Sequence, residues 1–447
     1  MQENLDKNVV VVGLGYVGLT LAVVLAELGF NVEGIEINSD ILKLLKARKP
    51  HFFEPGLEER LNVVMSEKRF KVFDRFIISY TPKVYIITVG TPLNKKGQIN
   101  LNMITKVTNE IAESMAEGSL IIGRSTVKIG TMDNLVKPIL DSSKKGYDLA
   151  FCPERTLEGK ALEELKYLPQ IIGATNENSS LRASSLFQKV TSTVVKVSDM
   201  KTAEMIKLMD NVSRDVSFAF ANEVALMCDE IGVNAYEVIS SGKQGYPRTN
   251  LPLPGPVGGP CLSKDPYILL ESLGQNFTQN SITKISRDTN ELIPNYVINV
   301  IDKYFSTTQE IKDKKLNILL LGLAFKGRPE TDDLRGSMVF PIIDSIKEMF
   351  PKSYIYAWDP IVKVEKVGSL GLKAVDMFED SFRDKDLVLI LNNHPFFQNI
   401  LLKKETNKMR KNGLVYDLWN HFSNESYEMS NNVIYMGLGS KIIGENQ

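Results

Sequence analysis

The chain has 447 residues, of which 43% are hydrophobic and 24% charged, so it is long enough for two or three domains with separate cores. Its 53 basic and 54 acidic residues give a formal charge of -1, which excludes a global basic footprint and predicts neither nucleic acid nor membrane as a partner. Three distant cysteines exclude a disulfide framework and a cysteine zinc site, favour the cytoplasm, and lead us to expect no bound metal.

Short apolar runs alternate with helical patterns through roughly the first 200 residues, which is typical of a parallel sheet covered by helices. The uncharged segment from Val9 to Ala26 could pass for a signal-peptide core, but no basic region precedes it and no cleavage site follows. Six runs are predicted to be strands: Val9–Val12, Val32–Glu36, Val84–Val89, Leu120–Gly123, Leu149–Cys152 and Val194–Val197.

The middle of the chain has a different pattern. One long helix is predicted from Met200 to Ile231, followed by a loop rich in Gly and Pro from Ser241 to Pro260. A second helical stretch is predicted to end near Pro294, because proline interrupts the helical hydrogen-bond ladder.

Strands and helices then alternate again, with strands predicted at Asn317–Leu321, Tyr354–Trp358, Leu387–Leu391 and Leu414–Tyr416. The fold class is therefore α/β, with two Rossmann-like doubly wound domains joined by a long central helix. We expect a first Rossmann-like domain over residues 1–198, a central helical domain over 199–295 and a second Rossmann-like domain over 296–447.

The first predicted turn has the features of a dinucleotide site. Its three glycines lie between a buried strand and an apolar helix, and the next strand ends in Glu36. Such glycines let the backbone approach a pyrophosphate at the helix N-terminus, while an acid binds the ribose hydroxyls and repels a 2′-phosphate. The sequence therefore predicts NAD rather than NADP, contacted by the turn residues Gly13, Gly15, Tyr16, Val17 and Gly18 together with Glu36. The alternative is a glycine-rich turn of another α/β protein.

The chemistry is most visible in the loop GPVGGPCLSKDPY. Gly258 and Gly259 free the backbone before Cys261, and Asp265 follows four residues later, so a helix here would carry both on one face. A thiolate can attack an aldehyde, and a nearby carboxylate can activate the water that releases the resulting thioester. The alternative is a structural cysteine.

Two further groups could assist this chemistry. Lys207 and Asn211 are four residues apart on the predicted long helix and could stabilise a thiolate and an oxyanion, unless they are ordinary residues of a solvated helix face. Glu154 follows a predicted strand end, where ligands of such sheets bind, and could act as an acid or base. Its alternative is an exposed loop acid.

These residues lie in stretches that resemble the UDP-glucose and UDP-N-acetyl-hexosamine 6-dehydrogenase family over nearly the whole chain. The stretches are GLGYVG at 13–18, VGTP at 89–92, STVKIGT at 125–131, CPERTLEG at 152–159, TAEMIKLMDN at 202–211, GPVGGPCLSKDPY at 255–267, GLAFKGRPETDDLRGS at 322–337 and the DP pair at 359–360. The resemblance implies two Rossmann-like domains, a homodimer paired through the central helix, a UDP-sugar substrate and a role in polysaccharide biosynthesis.

The resemblance also implies roles for individual residues. Cys261 would form a thiohemiacetal and then a thioester, assisted by Lys207, Asn211 and Asp265, with Glu154 as the acid or base. Thr126 would order the catalytic water. The remaining implied contacts are NAD with Thr91, Thr126, Glu158 and Arg335, and the nucleotide sugar with Lys207, Asn211, Gly258 and Lys326.

The sequence departs from the family at two points. Pro260 precedes the nucleophile, where His or Ser is more usual, and the segment between Lys326 and Asp332 looks longer than in many bacterial members. Arg155 in CPERTLEG and the segment 246–251 containing Arg248 resemble the N-acetyl-hexosamine enzymes, which predicts both arginines in the sugar pocket. Ordinary salt bridges are the alternative for both.

The function predicted from the sequence is a two-step oxidation of the C6 alcohol of UDP-ManNAc or UDP-GlcNAc to the uronate. The alternative substrate is UDP-glucose, because Ser263–Asp265 is closer to the glucose enzymes. A binding protein that has lost catalysis is the alternative from a different class.

Overall fold

The computed structural model describes residues 7–81, 83–273, 280–308, 315–422 and 433–440. Two compact units divide the chain: the first comprises Met1–Asn211 with Lys264–Thr278, and the second comprises Val212–Ser263 with Gln279–Gln447. Within the described ranges, no helix has the length and apolar content to cross a membrane.

The first unit is built on a sheet whose described strands run in the order β3-β2-β1-β4-β5-β6-β7-β8. All six predicted strands are present, and two further strands, β3 and β7, were not predicted. Neighbouring strands are parallel except β6 and β7, which pair antiparallel. The strands are β1 Asn8–Val12, β2 Asn31–Ile35, β3 Phe70–Phe73, β4 Val84–Ile87, β5 Ser119–Gly123, β6 Tyr147–Phe151, β7 Gln170–Ala174 and β8 Val194–Lys196.

Helices cover both faces of this sheet, and two buried apolar clusters lie on its two sides. Strands β4 and β5 are buried along their whole length, as a doubly wound sheet requires. The helices are α1 Tyr16–Glu27, α2 Ser39–Lys46, α3 Leu57–Ser66, α4 Asn102–Ser114, α5 Lys137–Ser142, α6 Ala161–Tyr167 and α7 Glu177–Phe187, with a π-helical turn at Met132–Val136 before α5.

The predicted long helix is confirmed as α8, Met200–Ile231. Its first twelve residues belong to the first unit and the rest to the second. Shorter helices follow as α9 Ala235–Lys243, α10 Gly259–Leu262 and α11 Asp265–Glu271, and then a second long helix, α12 Ile282–Thr308.

The prediction that the second helical stretch ends near Pro294 is wrong. Helix α12 contains Pro294 and continues for more than three turns beyond it. Val297, Ile298 and Ile301 are fully buried in the core of the second unit. Burial of this apolar face outweighs the hydrogen bond that the proline removes.

The second unit contains another sheet, with its described strands in the order β11-β10-β9-β12-β13-β14 and all pairs parallel. The four predicted strands are present, while β11 and β14 were not predicted. The strands are β9 Asn317–Leu321, β10 Tyr354–Trp358, β11 Lys373–Ala374, β12 Leu387–Ile390, β13 Leu414–Asp417 and β14 Ile434–Gly437, accompanied by helices α13 Val339–Met349, α14 Val364–Ser369 and α15 Leu402–Thr406. The fold class is therefore as predicted, whereas the domain boundaries at 198 and 295 stay a prediction.

Candidate active site

The three glycines of the first turn have different surroundings. Gly13 has φ +90°, and Gly18 is so close to the turn that a Cβ there would lie 1.9 Å from the Gly13 carbonyl oxygen. A Cβ on Gly15, by contrast, would meet nothing within 4 Å. The first and third glycines are thus required by the turn and its packing, while the second leaves room for a ligand.

The start of α1 fits a bound pyrophosphate. Gly15 is the N-cap and provides no side-chain hydrogen bond to the first turn, which also contains no acid. The helix dipole and its N–H groups therefore favour an anion at this end. Tyr16, the first helical residue, stacks on Phe52 with ring centroids 4.0 Å apart, which fixes one wall of the turn.

Glu36 follows β2 at the adjacent strand end. One carboxylate oxygen accepts the N–H of Leu14 at 3.0 Å, and the other accepts the N–H of Asn38 at 2.9 Å. The Glu36 carboxylate is therefore hydrogen-bonded to the backbone of the glycine turn. An acid that binds the ribose of a dinucleotide is expected to lie close to this turn. Gly15, the N-terminus of α1 and Glu36 together fit NAD. Val17, in the first turn of α1, is partly buried.

Two threonines lie at the carboxyl ends of neighbouring strands. Thr91 follows β4 and Thr126 follows β5, and the Thr91 hydroxyl donates to the Thr126 carbonyl at 2.6 Å. The sheet order reverses between β1 and β4, and ligands of open α/β sheets bind at such a switch point. Thr91 and Thr126 thus lie at the edge expected for a cofactor.

A buried acid of α8 holds the Thr126 loop. Both oxygens of Glu204 accept backbone N–H groups, from Gly130 at 2.5 Å and from Met132 at 2.9 Å. Burial raises the pKa of Glu204 to about 7, although these two hydrogen bonds oppose the rise. Glu204 was not predicted as a functional residue, because its role depends on a contact 72–74 residues away in the chain.

Glu154 is buried, which contradicts the alternative of an exposed loop acid. Its Oε2 accepts from Arg124 Nη2 at 2.5 Å, and its Oε1 accepts the N–H groups of Arg155 and Thr156. Burial alone would raise the pKa of Glu154, but the Arg124 guanidinium and these N–H groups hold it below its usual value. The carboxylate is therefore ionised at neutral pH and suited to accept a proton rather than donate one.

Arg155 has partners within the first unit. Its Nη1 lies 3.3 Å from Asp210 Oδ2, and its Nη2 donates to the Pro169 carbonyl at 2.6 Å. This is the salt-bridge arrangement that was the alternative to a sugar contact. Glu158, three residues further along the same loop, is partly buried.

The first unit brings together the amide of Asn211 on α8, the carboxylate of Asp265 at the start of α11 and the ammonium group of Lys264 in the turn just before α11. Asn211 Nδ2 donates to Asp265 Oδ2 at 2.5 Å, and Lys264 Nζ lies 2.5 Å from Asp265 Oδ1. Asp265 is fully buried and Asn211 nearly so, while Lys207 lies one turn before Asn211 and is partly buried. A buried carboxylate with two fixed donors is a defined hydrogen-bonding centre.

The expectation that one helix carries both Cys261 and Asp265 is wrong. Cys261 is on α10, whereas Asp265 begins α11, and Ser263 and Lys264 form a turn between them. Pro266 in the first turn of α11 has no N–H for a continuous ladder, so α11 starts as a new helix.

The loop before Cys261 packs closely on the segment 322–337 of the same unit. The Gly259 N–H donates to the Gly336 carbonyl at 2.7 Å. A Cβ on Gly258 would lie 2.2 Å from that carbonyl oxygen, and one on Gly259, where φ is +93°, would lie 2.4 Å from the Phe325 ring. The paired glycines are therefore required by the backbone that presents Cys261. Cys261 itself is a partly exposed residue.

The glycine turn of the second unit repeats part of the first. Asp359, at the end of β10, accepts the N–H groups of Leu323 and Ala324 at 2.6 and 3.2 Å, as Glu36 does for Leu14. A Cβ on Gly322 would lie 2.6 Å from the Asn392 side chain, so this turn is filled. The Asp359-Pro360 pair is one of the family-like stretches of the sequence, but no role was predicted for Asp359.

The other predicted residues of the second unit lie on its loops. Lys326 Nζ is 5.3 Å from the Phe325 ring centroid. Arg335 is exposed and donates from Nε and Nη2 to Asp333. Arg248 is exposed and lies over the Tyr246 ring at 4.7 Å. Their ligand contacts stay predictions.

Comparisons with known proteins agree with this geometry. Residues 7–191, 201–292 and 319–424 match the NAD binding, central and UDP binding domains of the UDP-glucose/GDP-mannose dehydrogenase family. A UDP-N-acetyl-D-mannosamine dehydrogenase from Pyrococcus horikoshii is 33% identical over 398 residues, covering 88% of this chain and 91% of that protein.

Two solved structures extend the likeness to the fold. A UDP-D-ManNAc dehydrogenase from Pyrococcus horikoshii has a TM-score of 0.85 at 31% identity, covering 97% of this chain and 99% of its own. A UDP-glucose dehydrogenase from Pyrobaculum islandicum has a TM-score of 0.83 at 25% identity, covering 98% and 99%.

The sheets, the glycine turn and the matched domains define an NAD-dependent oxidoreductase with two Rossmann-like domains. The chain belongs to the UDP-glucose/GDP-mannose dehydrogenase family and is a nucleotide-sugar dehydrogenase. The predictions of family, enzyme class and NAD as cofactor are thereby confirmed.

Proposed function

We propose that the protein oxidises the C6 alcohol of a UDP-N-acetyl-hexosamine, foremost UDP-ManNAc, to the uronate through a covalent intermediate on Cys261. The observation that carries the covalent mechanism is the loop of Cys261, whose paired glycines have no space for side chains while Cys261 itself is a partly exposed residue. A constrained backbone around a partly exposed cysteine is more typical of a nucleophile than of a cysteine that only packs in the core.

The overall reaction consumes one alcohol, two NAD and one water, and it yields one carboxylate, two NADH and three protons. NAD supplies the hydride acceptor for both oxidations. The alcohol first loses a hydride and a proton to become an aldehyde. The Cys261 thiolate then adds to the aldehyde carbon, forming a C–S bond, and the oxygen takes up a proton to give the thiohemiacetal.

Loss of a second hydride and a proton converts the thiohemiacetal to the thioester. Water then adds to the thioester carbon, the C–S bond breaks, and Cys261 leaves as the thiolate. The two protons of the attacking water are released, so the product is the carboxylate. The intermediates are held by the enzyme, so an aldehyde should not accumulate in solution.

Residues of the first unit are assigned the remaining roles. Lys207 and Asn211 stabilise the negative charge that develops on the reacting oxygen. Asp265, buried against Asn211 and Lys264, orients that amide and assists release of the thioester. Glu154 is ionised and accepts a proton, directly or through a water that Thr126 orders.

The N-acetylated substrate is favoured by the relatives. The Pyrococcus horikoshii protein that is 33% identical acts, by its name, on UDP-N-acetyl-D-mannosamine. The contact of Arg155 with Asp210 and the Pro169 carbonyl weakens its own assignment to the sugar pocket. Arg248 is the better candidate, because its exposed guanidinium has donors for an acetamide carbonyl.

The experiment is a measurement of NADH formation with UDP-ManNAc, UDP-GlcNAc, UDP-GalNAc and UDP-glucose. We expect the highest kcat/KM with UDP-ManNAc and two NADH per sugar. Arg248→Ala should lower kcat/KM for the N-acetylated sugars more than for UDP-glucose, and Arg155→Ala should lower both equally. A highest kcat/KM for UDP-glucose would make the substrate proposal wrong and leave the dehydrogenase assignment intact.

Cys261→Ser separates the covalent mechanism from a structural role of the thiol. The weaker nucleophile and poorer leaving group should stall the second oxidation, while NADH binding, measured by fluorescence, stays unchanged. Full turnover by this variant would mean that Cys261 has no covalent role.

We also propose that two chains pair through the second half of α8 and the start of α12. Both helices carry exposed apolar residues at heptad spacing, and these lie within the second unit. On α8 they are Phe220, Met227 and Ile231, and on α12 they are Ile282, Ile285 and Leu292.

A further inference from the structure

A buried ion pair joins the two long helices inside the second unit. Arg287 of α12 and Asp215 of α8 are each 1% exposed, and Arg287 Nη1 lies 2.6 Å from Asp215 Oδ1. A buried ion pair often adds no stability compared with well-packed apolar residues of similar volume, because removing both charges from water is costly. We therefore ask which groups this ion pair orients.

The guanidinium of Arg287 also binds the loop that presents Cys261. Its Nη1 donates to the Leu262 carbonyl and its Nη2 to the Val257 carbonyl, both at 3.0 Å. These two carbonyls lie on either side of Cys261 in the chain, with Leu262 its immediate neighbour. One rigid, planar group thus fixes both ends of the segment that contains the thiol.

Two asparagines extend the same network to the start of the loop. Asn290 Nδ2 donates to Asp215 Oδ1 at 2.9 Å, and Asn222 Nδ2 donates to Asn290 Oδ1 at 2.9 Å. The side-chain oxygen Oδ1 of Asn222 then accepts the N–H of Gly255 at 2.9 Å. All four side chains of the network are buried. The loop is therefore held at residues 255, 257 and 262 by one connected set of hydrogen bonds.

We propose that Arg287 is a positioning residue for the nucleophile, which aligns Cys261 for attack on the aldehyde by fixing the backbone of residues 255–262. The proposal rests on the covalent role of Cys261 given above. Asp215 holds Arg287 in place and neutralises it, and Asn290 and Asn222 carry the constraint to Gly255.

Positioning has a consequence that structural support alone does not have. Only the steps that use the C–S bond require the thiol at bonding distance from the aldehyde carbon. A loosened loop should slow thiohemiacetal formation more than the first oxidation, so aldehyde should escape before it is trapped. Lysine at position 287 keeps the charge but cannot bind a carboxylate and two carbonyls from one planar group.

The test is Arg287→Lys, with Arg182→Lys as the matched control. Arg182 also pairs with an aspartate, Asp148, at 2.7 Å and donates to a backbone carbonyl, that of Gly118, but it lies in the first unit. The readouts are kcat, KM for the UDP-sugar, NADH formed per sugar consumed, and aldehyde captured by hydroxylamine. Thermal unfolding and NADH fluorescence report on the fold.

For Arg287→Lys we expect kcat to fall by about tenfold or more with KM within about threefold, and the NADH ratio to drop from two toward one as aldehyde is captured. Arg182→Lys should keep a ratio of two. If Arg287→Lys retains a ratio of two with full turnover, or loses both oxidations equally, the positioning role is wrong.

A second variant keeps the test decisive if Arg287→Lys does not fold. Asn222→Ala removes the acceptor of the Gly255 N–H and leaves the ion pair intact, so it should lower the NADH ratio in the same direction by a smaller amount. A ratio of two in that variant would overturn the proposal. A wild-type ratio of one would instead refute the covalent function on which the proposal rests.

Discussion

The three glycines of the first turn differ in the physical reason for having no side chain. Gly13 needs a positive φ, Gly18 needs the absence of a Cβ for packing, and Gly15 has a φ of −71° that any residue adopts. The open space at Gly15 is therefore not required by the fold. We infer that it serves the approach of NAD.

Substitution by alanine should separate these roles. Gly15→Ala should leave the thermal unfolding midpoint within about 2 °C of wild type and raise the NADH Kd about tenfold or more. Gly18→Ala should destabilise the protein by about 1–3 kcal/mol or more, because its Cβ would overlap the Gly13 carbonyl. NADH fluorescence titration and thermal unfolding measure the two effects. Equal loss of stability in both variants would contradict the assignment.

Glu204 couples the loop of Thr126 to α8 and has a pKa raised by burial from 4.5 to about 7. Between these values the folded state keeps the proton while the unfolded state has lost it. The folded state therefore binds more protons, and its free energy of unfolding falls as the pH rises through this range. Asp133 raises the pKa further, whereas Lys201 lowers it.

Glu204→Gln tests this titration. The wild type should lose up to about 3 kcal/mol more stability than the variant between about pH 4.5 and about pH 7, because glutamine does not ionise. Denaturant unfolding at both ends of this range provides the comparison. Parallel pH profiles for the two proteins would mean that Glu204 does not titrate there.

At the scale of elements, the apolar pattern located ten strands and helix α8, because long buried runs and helical periodicity are local signals. It missed β3, β7, β11 and β14. Strand β7 begins with the polar Gln170. This side chain can be buried because its amide accepts a hydrogen bond from Arg124 and donates one to the Pro153 carbonyl. Strands β3 and β11 are short and partly exposed, so neither has a continuous apolar run.

The candidate site was predictable where a motif carries its own chemistry. The glycine turn, Glu36 and the Cys261 loop are such motifs. Arg124, Glu204 and Arg287 were not, because each acts through partners distant in the chain, and a single charged residue has no local signature of that contact. Tertiary hydrogen bonds, rather than local propensity, determine these roles.

Pro294 in the interior of α12 lowers the stability of the helix. Pro294 cannot donate the backbone hydrogen bond of a helix interior, and burial of Val297, Ile298 and Ile301 maintains the helix beyond it. Pro294→Ala should therefore raise the free energy of unfolding by about 1–3 kcal/mol with unchanged helix content. Denaturant unfolding and circular dichroism measure this change. A less stable variant would mean that packing of the buried proline ring outweighs the restored bond.

The exposed apolar residues of α8 and α12 predict that the protein is a dimer. Phe220 and Met227 are 54% and 52% exposed and lie seven residues apart on one face of α8. Changing both to glutamate should convert a dimer to a monomer in light scattering, because two charges cannot be buried unpaired. A matched change of the exposed Lys403 and Lys404 to glutamate on α15 should leave the mass unchanged. A dimer in the first variant would contradict pairing through this face.

The burial of two of the three thiols has a practical consequence. Cys152 is fully buried and burial raises its pKa to about 12, and Cys228, in the core of the second unit, also has a pKa raised by burial. Neither forms an accessible thiolate near neutral pH, and thiolates are the species that react with maleimides and mercurials. The folded enzyme should thus take up one equivalent of either reagent, at Cys261. A single heavy atom or fluorophore per chain could then mark the Cys261 loop, and the proposed covalent role of Cys261 predicts that peroxide inactivates the enzyme by oxidising that one sulfur.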